Sequence, residues 1–148
     1  MRKIGYATGV FDMFHIGHLN LLRRASLECD YLMVGVTTDE LVQELKNKRP
    51  IIPFDERLEI VQNIKCVNEV IAETSSDKMQ AWENIKFDVT FKGDDWKGTE
   101  KWNELERKFK QVGVEVLYLP YTNHTSSSKL RELIDIMIKE NSDNGANK

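Results

Sequence analysis

The chain has 148 residues, 21 of them Lys or Arg and 24 Asp or Glu, for a formal charge of -3 with both signs interspersed. That is the size of one domain, large enough to bury a core without a metal or disulfide, and it carries no basic footprint for nucleic acid. No run approaches the ~18 apolar residues that span a bilayer, and Arg2 and Lys3 are followed by no apolar signal region; a cytoplasmic protein with no membrane insertion is expected.

Lys3 to Thr8 reads as a short strand, and Leu19 to Leu27 carries apolar residues at helical spacing. Between them runs Gly9-Val10-Phe11-Asp12-Met13-Phe14-His15-Ile16-Gly17-His18, a strand-to-helix junction. The free N–H groups and positive dipole end of such a helix make an anion site. His15 and His18, three residues apart, fall on one side of the helix and can donate to the same phosphate oxygens. Gly17 removes a side chain between them and lets a bulky anion approach the backbone. Asp12 has two readings: it orients a phosphate-bound Mg²⁺, or it fixes the loop by accepting backbone N–H bonds. Neither cysteine nor His124 offers the further ligands a histidine metal site needs. Cys29 and Cys66, far apart and beside apolar sequence, suit buried reduced thiols.

Tyr31 to Val36 is nearly all apolar, as in a strand covered on both faces. Thr38 or Asp39 caps a short helix through Leu45, which runs into the cationic loop Lys46-Asn47-Lys48-Arg49-Pro50. Pro53 and Asp55 open a helix with Leu58, Val61 and Ile64 on one stripe, followed by a strand at Glu69 to Ala72. Asp77 to Ile85 is the next helix, with Met79 and Trp82 toward the core, and Asp88 to Lys92 the next strand. After the loop Gly93-Asp94-Asp95-Trp96-Lys97-Gly98 comes a helix presenting Trp102, Leu105, Phe109 and Val112 inward, ended by Gly113. Val114 to Leu119 is the last strand. One of Thr125 to Ser128 caps a final helix with Leu130, Leu133, Ile134 and Met137. Residues 1–140 thus form the folded domain, and the polar, aromatic-free tail 141–148 is expected to be disordered.

This alternation predicts an α/β fold, a doubly wound, Rossmann-like parallel sheet of five strands with helices on both faces and right-handed crossovers. Ligands of such sheets bind beyond the carboxyl ends of the strands, where strand order reverses. The loops after the first, fourth and fifth strands, holding the histidine segment, Asp94 and the Thr125 cap, are expected to meet there.

The segment Gly9-Val10-Phe11-Asp12, then Phe14-His15-Ile16-Gly17-His18, resembles the G-x-F-D-x-x-H-x-G-H signature of the H-x-G-H nucleotidyltransferases, and within them the cytidylyltransferases. Val34-Gly35-Val36 with Thr38-Asp39-Glu40, Lys46-x-Lys48, Glu56-Arg57 and Gly93-Asp94-Asp95-Trp96 extend the resemblance, the last string pointing to the small bacterial glycerol-3-phosphate cytidylyltransferases. The resemblance implies attack by a phosphomonoester oxygen on the α-phosphorus of CTP, releasing pyrophosphate and giving a CDP-activated product for cell-surface polymers, with Mg²⁺ and a homodimer. It assigns His15, His18, Lys46 and Arg57 to catalysis, Lys46 and Lys48 closing over the triphosphate. Nucleotide contacts fall to Gly9, Val10, Phe11, Asp12, Gly17, Lys48, Asp94, Asp95, Trp96, Thr125, Ser126 and Ser127.

Two strings depart from that branch. Its R-Y-V-D-E-V stands here as Lys65-Cys66-Val67-Asn68-Glu69-Val70, and its R-T-E-G-I-S-T-T as Tyr121-Thr122-Asn123-His124-Thr125-Ser126-Ser127-Ser128. Lys65 keeps a point charge without the bidentate fork, and Tyr121 keeps neither. Lys65, Asn68 and Tyr121 are therefore expected to shape the acceptor side. Glycerol 3-phosphate or a related polyol phosphate stands first as acceptor. Phosphocholine or phosphoethanolamine, adenylyl transfer, and a nucleotide-binding regulator without turnover stay open.

Overall fold

A computed structural model describes residues 2–120 and 127–146, with side chains to residue 142. Five parallel strands, β1 (Ile4–Gly9), β2 (Tyr31–Thr37), β3 (Glu69–Glu73), β4 (Val89–Gly93) and β5 (Glu115–Leu119), form one sheet in the order β3-β2-β1-β4-β5. Strand order reverses between β1 and β4. The connecting helices are α1 (Ile16–Leu27), α2 (Asp39–Lys46), α3 (Phe54–Gln62), α4 (Lys78–Ile85), α5 (Glu100–Gln111) and α6 (Ser127–Ala146), with a 3-10 turn at Asp94–Trp96. The expected alternation, five strands and doubly wound α/β class are all found.

Strand alternation divides the core in two. Ala7, Val34, Val36, Val89 and Phe91 face α1 and α3, packing on Leu22, Ala25 and Val61. Tyr6, Met33, Ile71 and Val116 face the other way, onto Met79, Trp82, Leu105, Phe87 and Phe109 of the α4–α5 side. Met79 and Trp82 are core, as their spacing implies.

Helix ends follow local chemistry. Thr38 caps α2, Asp77 caps α4 and Thr99 caps α5, each side chain accepting a first-turn N–H. Gly113, at φ +80°, turns the chain out of α5 into β5. Val112, expected inward, is 38% exposed instead, because α5 has already closed at Gln111. Cys29 and Cys66 are free, half-buried thiols. The final helix continues through Ala146, into the segment whose composition argues for disorder: helical hydrogen bonding carries the backbone on without an apolar stripe.

Candidate active site

The β1–α1 loop is held in a shape most residues resist. Phe11 and Met13 adopt the left-handed region, φ +55° and +48°, at a cost on the order of 1–2 kcal/mol each. Two anchors offset it. The Phe11 ring is 3% exposed, and it lies so close over Gly9 that a Cβ there would meet it at 2.9 Å. The Asp12 carboxylate, also buried, accepts the N–H groups of Ile51 and Ile52, both at 2.9 Å. The loop-fixing reading of Asp12 is thus what its oxygens do, and among the described residues no three acidic, histidine or cysteine side chains gather as a metal cage.

His15 and His18 form a reciprocal capping box. His15 is the N-cap of α1 and its Nδ1 accepts the Gly17 N–H at 3.0 Å, while His18 Nδ1 accepts the His15 N–H at 3.3 Å. The rings stack, centroids 3.9 Å apart. With each Nδ1 accepting, the hydrogen-bond pattern assigns the proton of each neutral ring to Nε2. Burial lowers the pKa of both rings, that of His18 to about 4, with the neighbouring His15 adding and Asp12 opposing. The pair therefore enters the crevice as two neutral Nε2–H donors. A long-range ¹⁵N NMR titration of the ligand-free protein is expected to keep His18 in the Nε2–H form from pH 8 to about 5, and an imidazolium at pH 7 would refute the assignment. Between the ordinary value of 6.5 and about 4 the unfolded chain binds a proton at His18 that the folded chain refuses. This group therefore makes stability fall as pH drops through that window.

A crevice of about 690 Å³ lies over the switch point between β1 and β4. Gly9, Val10, Phe11, Asp12, His15, Gly17 and His18 line it from the β1–α1 loop, Lys46 and Lys48 from the end of α2, Ser127 from α6, and Trp96 from the β4 side. Ser127 Oγ donates to the Asp12 carbonyl, tying the start of α6 to the histidine loop. The segments after the first and fourth strands converge there with Pro120 and with the start of α6.

Other expectations need correcting. Asp94 opens the 3-10 turn but does not line the crevice, whereas Asp95 does: a 3-10 turn sends successive side chains about 120° apart. Arg57, expected at the phosphates, is 1% exposed and absent from the lining. Its Nε donates to the Ile52 carbonyl at 2.8 Å, its two terminal nitrogens to Val10 O at 2.6 Å, Thr37 O at 2.8 Å and Asp39 Oδ1 at 2.7 Å. It is the pin that holds the loops after β1 and β2 against α3. Lys65 and Asn68 precede β3, at the amino edge of the sheet, away from the crevice; Asn68 Oδ1 instead accepts the Leu32 N–H at 2.8 Å. Tyr121, Thr125 and Ser126 lie outside the described residues.

Beside apolar lining residues such as Leu21, Val42 and Phe91, the crevice holds polar side chains that the sequence did not single out: Thr8, Lys92 and Arg131. Thr8 accepts a bond from Lys78 Nζ at 2.8 Å, and Lys78 pairs with Glu73 at 2.7 Å. The Lys92 ammonium stands over the Trp96 ring at 4.8 Å and the Trp102 ring at 5.5 Å. Burial lowers its pKa, with Lys78 adding and Glu73 opposing.

Residues 6–133 match the family model described as cytidylyltransferase-like. The chain is 37% identical over 133 residues to the glycerol-3-phosphate cytidylyltransferase of Bacillus spizizenii, covering 89% of this chain and 96% of the relative. It is 31% identical over 140 residues to the FAD synthase of Thermococcus sibiricus, covering 93% and 95%. A crystal structure of the lipopolysaccharide core biosynthesis protein from Thermoplasma volcanium superposes with a TM-score of 0.70 at 29% identity, covering 84% of this chain and 100% of that one.

Proposed function

The chain belongs to the cytidylyltransferase-like family and is a nucleotidyltransferase, and on that premise we propose that it transfers CMP from CTP to glycerol 3-phosphate. An oxygen of the acceptor phosphate attacks the α-phosphorus, the bond from that phosphorus to the bridging oxygen breaks, and pyrophosphate leaves with the electron pair. The products are CDP-glycerol, an activated group suited to phosphodiester polymers, and pyrophosphate. No protein nucleophile is needed, since the acceptor phosphate is already anionic; the site aligns the reactants and neutralises charge.

The observation that carries this reading is the histidine capping box, which leaves two neutral Nε2–H donors at a helix N-terminus in the crevice. Lys46 and Lys48 add positive charge for the leaving phosphates, and Ser127 stands at a second helix start. Asp12 spends both oxygens on the loop, so Mg²⁺ would be held by the nucleotide's phosphates. A homodimer belongs to the same reading and is checked by its mass in solution.

Pyrophosphate release is the test. CTP with glycerol 3-phosphate is expected to outpace CTP with phosphocholine or phosphoethanolamine, and to outpace ATP with any acceptor. The likeness to FAD synthase makes ATP with FMN the comparison that matters for the base: faster release there would reassign the nucleotide. Tight CTP binding with no release from any acceptor would leave a nucleotide-binding regulator.

A further inference from the structure

We propose that Lys92 binds the phosphate of the acceptor and sets acceptor affinity separately from nucleotide affinity; this rests on the transfer reaction proposed above. Lys65 and Asn68 stand at the other edge of the sheet, so they leave the acceptor's charge without a partner in the crevice. The reaction brings two phosphate anions together, and their repulsion falls only if the acceptor meets a cation not already shared with the triphosphate.

The crevice has cations on two sides. Lys46, Lys48 and Arg131 come from the end of α2 and from α6, on the side of the histidines. Lys92 comes from the opposite wall. The register Tyr6↔Thr90 places Thr8 and Lys92 side by side two residues further along, on the sheet face that packs against α4 and α5.

Its surroundings suit an incoming anion. Lys92 is half-buried, and among the described residues no carboxylate oxygen lies within 4.0 Å of its Nζ. Glu73, an acid close enough to influence it, is already paired with Lys78 and hydrogen-bonded to Thr37 at 3.0 Å. Asp95 on the crevice rim attracts it at longer range. Two indole faces hold the side chain in place without neutralising it. A half-buried ammonium with no ion-pair partner is costly, and a phosphate dianion beside it offsets that cost.

The test is steady-state kinetics of the full chain with each substrate varied in turn. Lys92→Met and Lys92→Gln should each raise KM for glycerol 3-phosphate roughly 10- to 100-fold, the scale of one lost charge-assisted hydrogen bond. KM for CTP should stay within about twofold, which also reports an intact site. Lys92→Arg should recover most of the acceptor affinity. Lys101→Gln, an exposed neighbouring charge, should change neither constant. An unchanged acceptor KM in the methionine and glutamine variants, both KM values rising together, an arginine variant as poor as the methionine one, or an equal effect at Lys101 would overturn the assignment. A wild-type chain that releases no pyrophosphate with any phosphomonoester would instead overturn the transfer reaction itself.

Discussion

His18→Ala is expected to lower kcat by roughly 100- to 1,000-fold, the usual loss when one preorganised donor to a transition-state oxyanion is removed. The side chain has two jobs that this substitution removes together. Its Nδ1 accepts the His15 N–H and closes the cap of α1, and its Nε2–H is the donor left for the phosphates. Losing the cap costs about 1 kcal/mol, seen as a small drop in Tm. His18→Glu separates the jobs. Glutamate at the third helical position is an ordinary partner in a capping box, so its carboxylate can accept the His15 N–H and restore Tm, while an ionised carboxylate carries no N–H or O–H donor to take the place of Nε2. The expected pattern is therefore wild-type stability with activity as low as in the alanine variant. Retention of most activity by either variant would refute the assigned role, and loss of activity in strict proportion to unfolding would reduce His18 to a cap.

The histidine pair was legible in the sequence because three residues is the separation of side chains on one helix face; that the two rings also cap the helix reciprocally, which fixes the ring nitrogen that faces out, is shown only by the structure. Element order was legible for a similar reason, since unbroken apolar strands alternating with amphipathic helices admit few layerings. Arg57 was not. A charged residue at a helix start looks solvated in sequence, and only the fold brings three carbonyls and a carboxylate around it. Lys65 and Asn68 failed differently: a residue just before a parallel strand must lie at its amino edge, opposite the ligand edge, so topology already argued against the family string. Lys92 was hidden by its strand. Reading Asp88 to Lys92 as one β-run treats its last residue as the end of a core element, whereas β4 ends at the crevice floor and turns that residue into wall.

Arg57→Met is expected to destabilise the fold by about 3–5 kcal/mol, the scale for removing one partner from a buried charged pair. Methionine fills part of the volume but donates nothing, so the carbonyls of Val10, Thr37 and Ile52 lose their partner and Asp39 loses its counter-ion. Arg57→Lys should recover only part of this, because a point charge cannot reach carbonyls on two strand ends and a carboxylate at once. Urea unfolding gives the numbers, and its pH dependence gives the cause. Burial acts to raise the Asp39 pKa, but hydrogen bonds from Arg57 and from the Phe54 N–H hold it below the usual 3.8. A depressed carboxylate contributes stability that is present above its unfolded value and lost as pH falls through the folded one. That acid-side loss should shrink in the methionine variant, since the ion pair is already gone. The two roles predict opposite orders of damage. A pin for the loops loses stability first, and CTP binding weakens because Val10 and the start of α2 shift; a phosphate ligand loses CTP affinity in a chain as stable as wild type. With four hydrogen bonds donated and the side chain fully buried, the first order is the one expected, and a stable Arg57→Met that no longer binds CTP would reverse it.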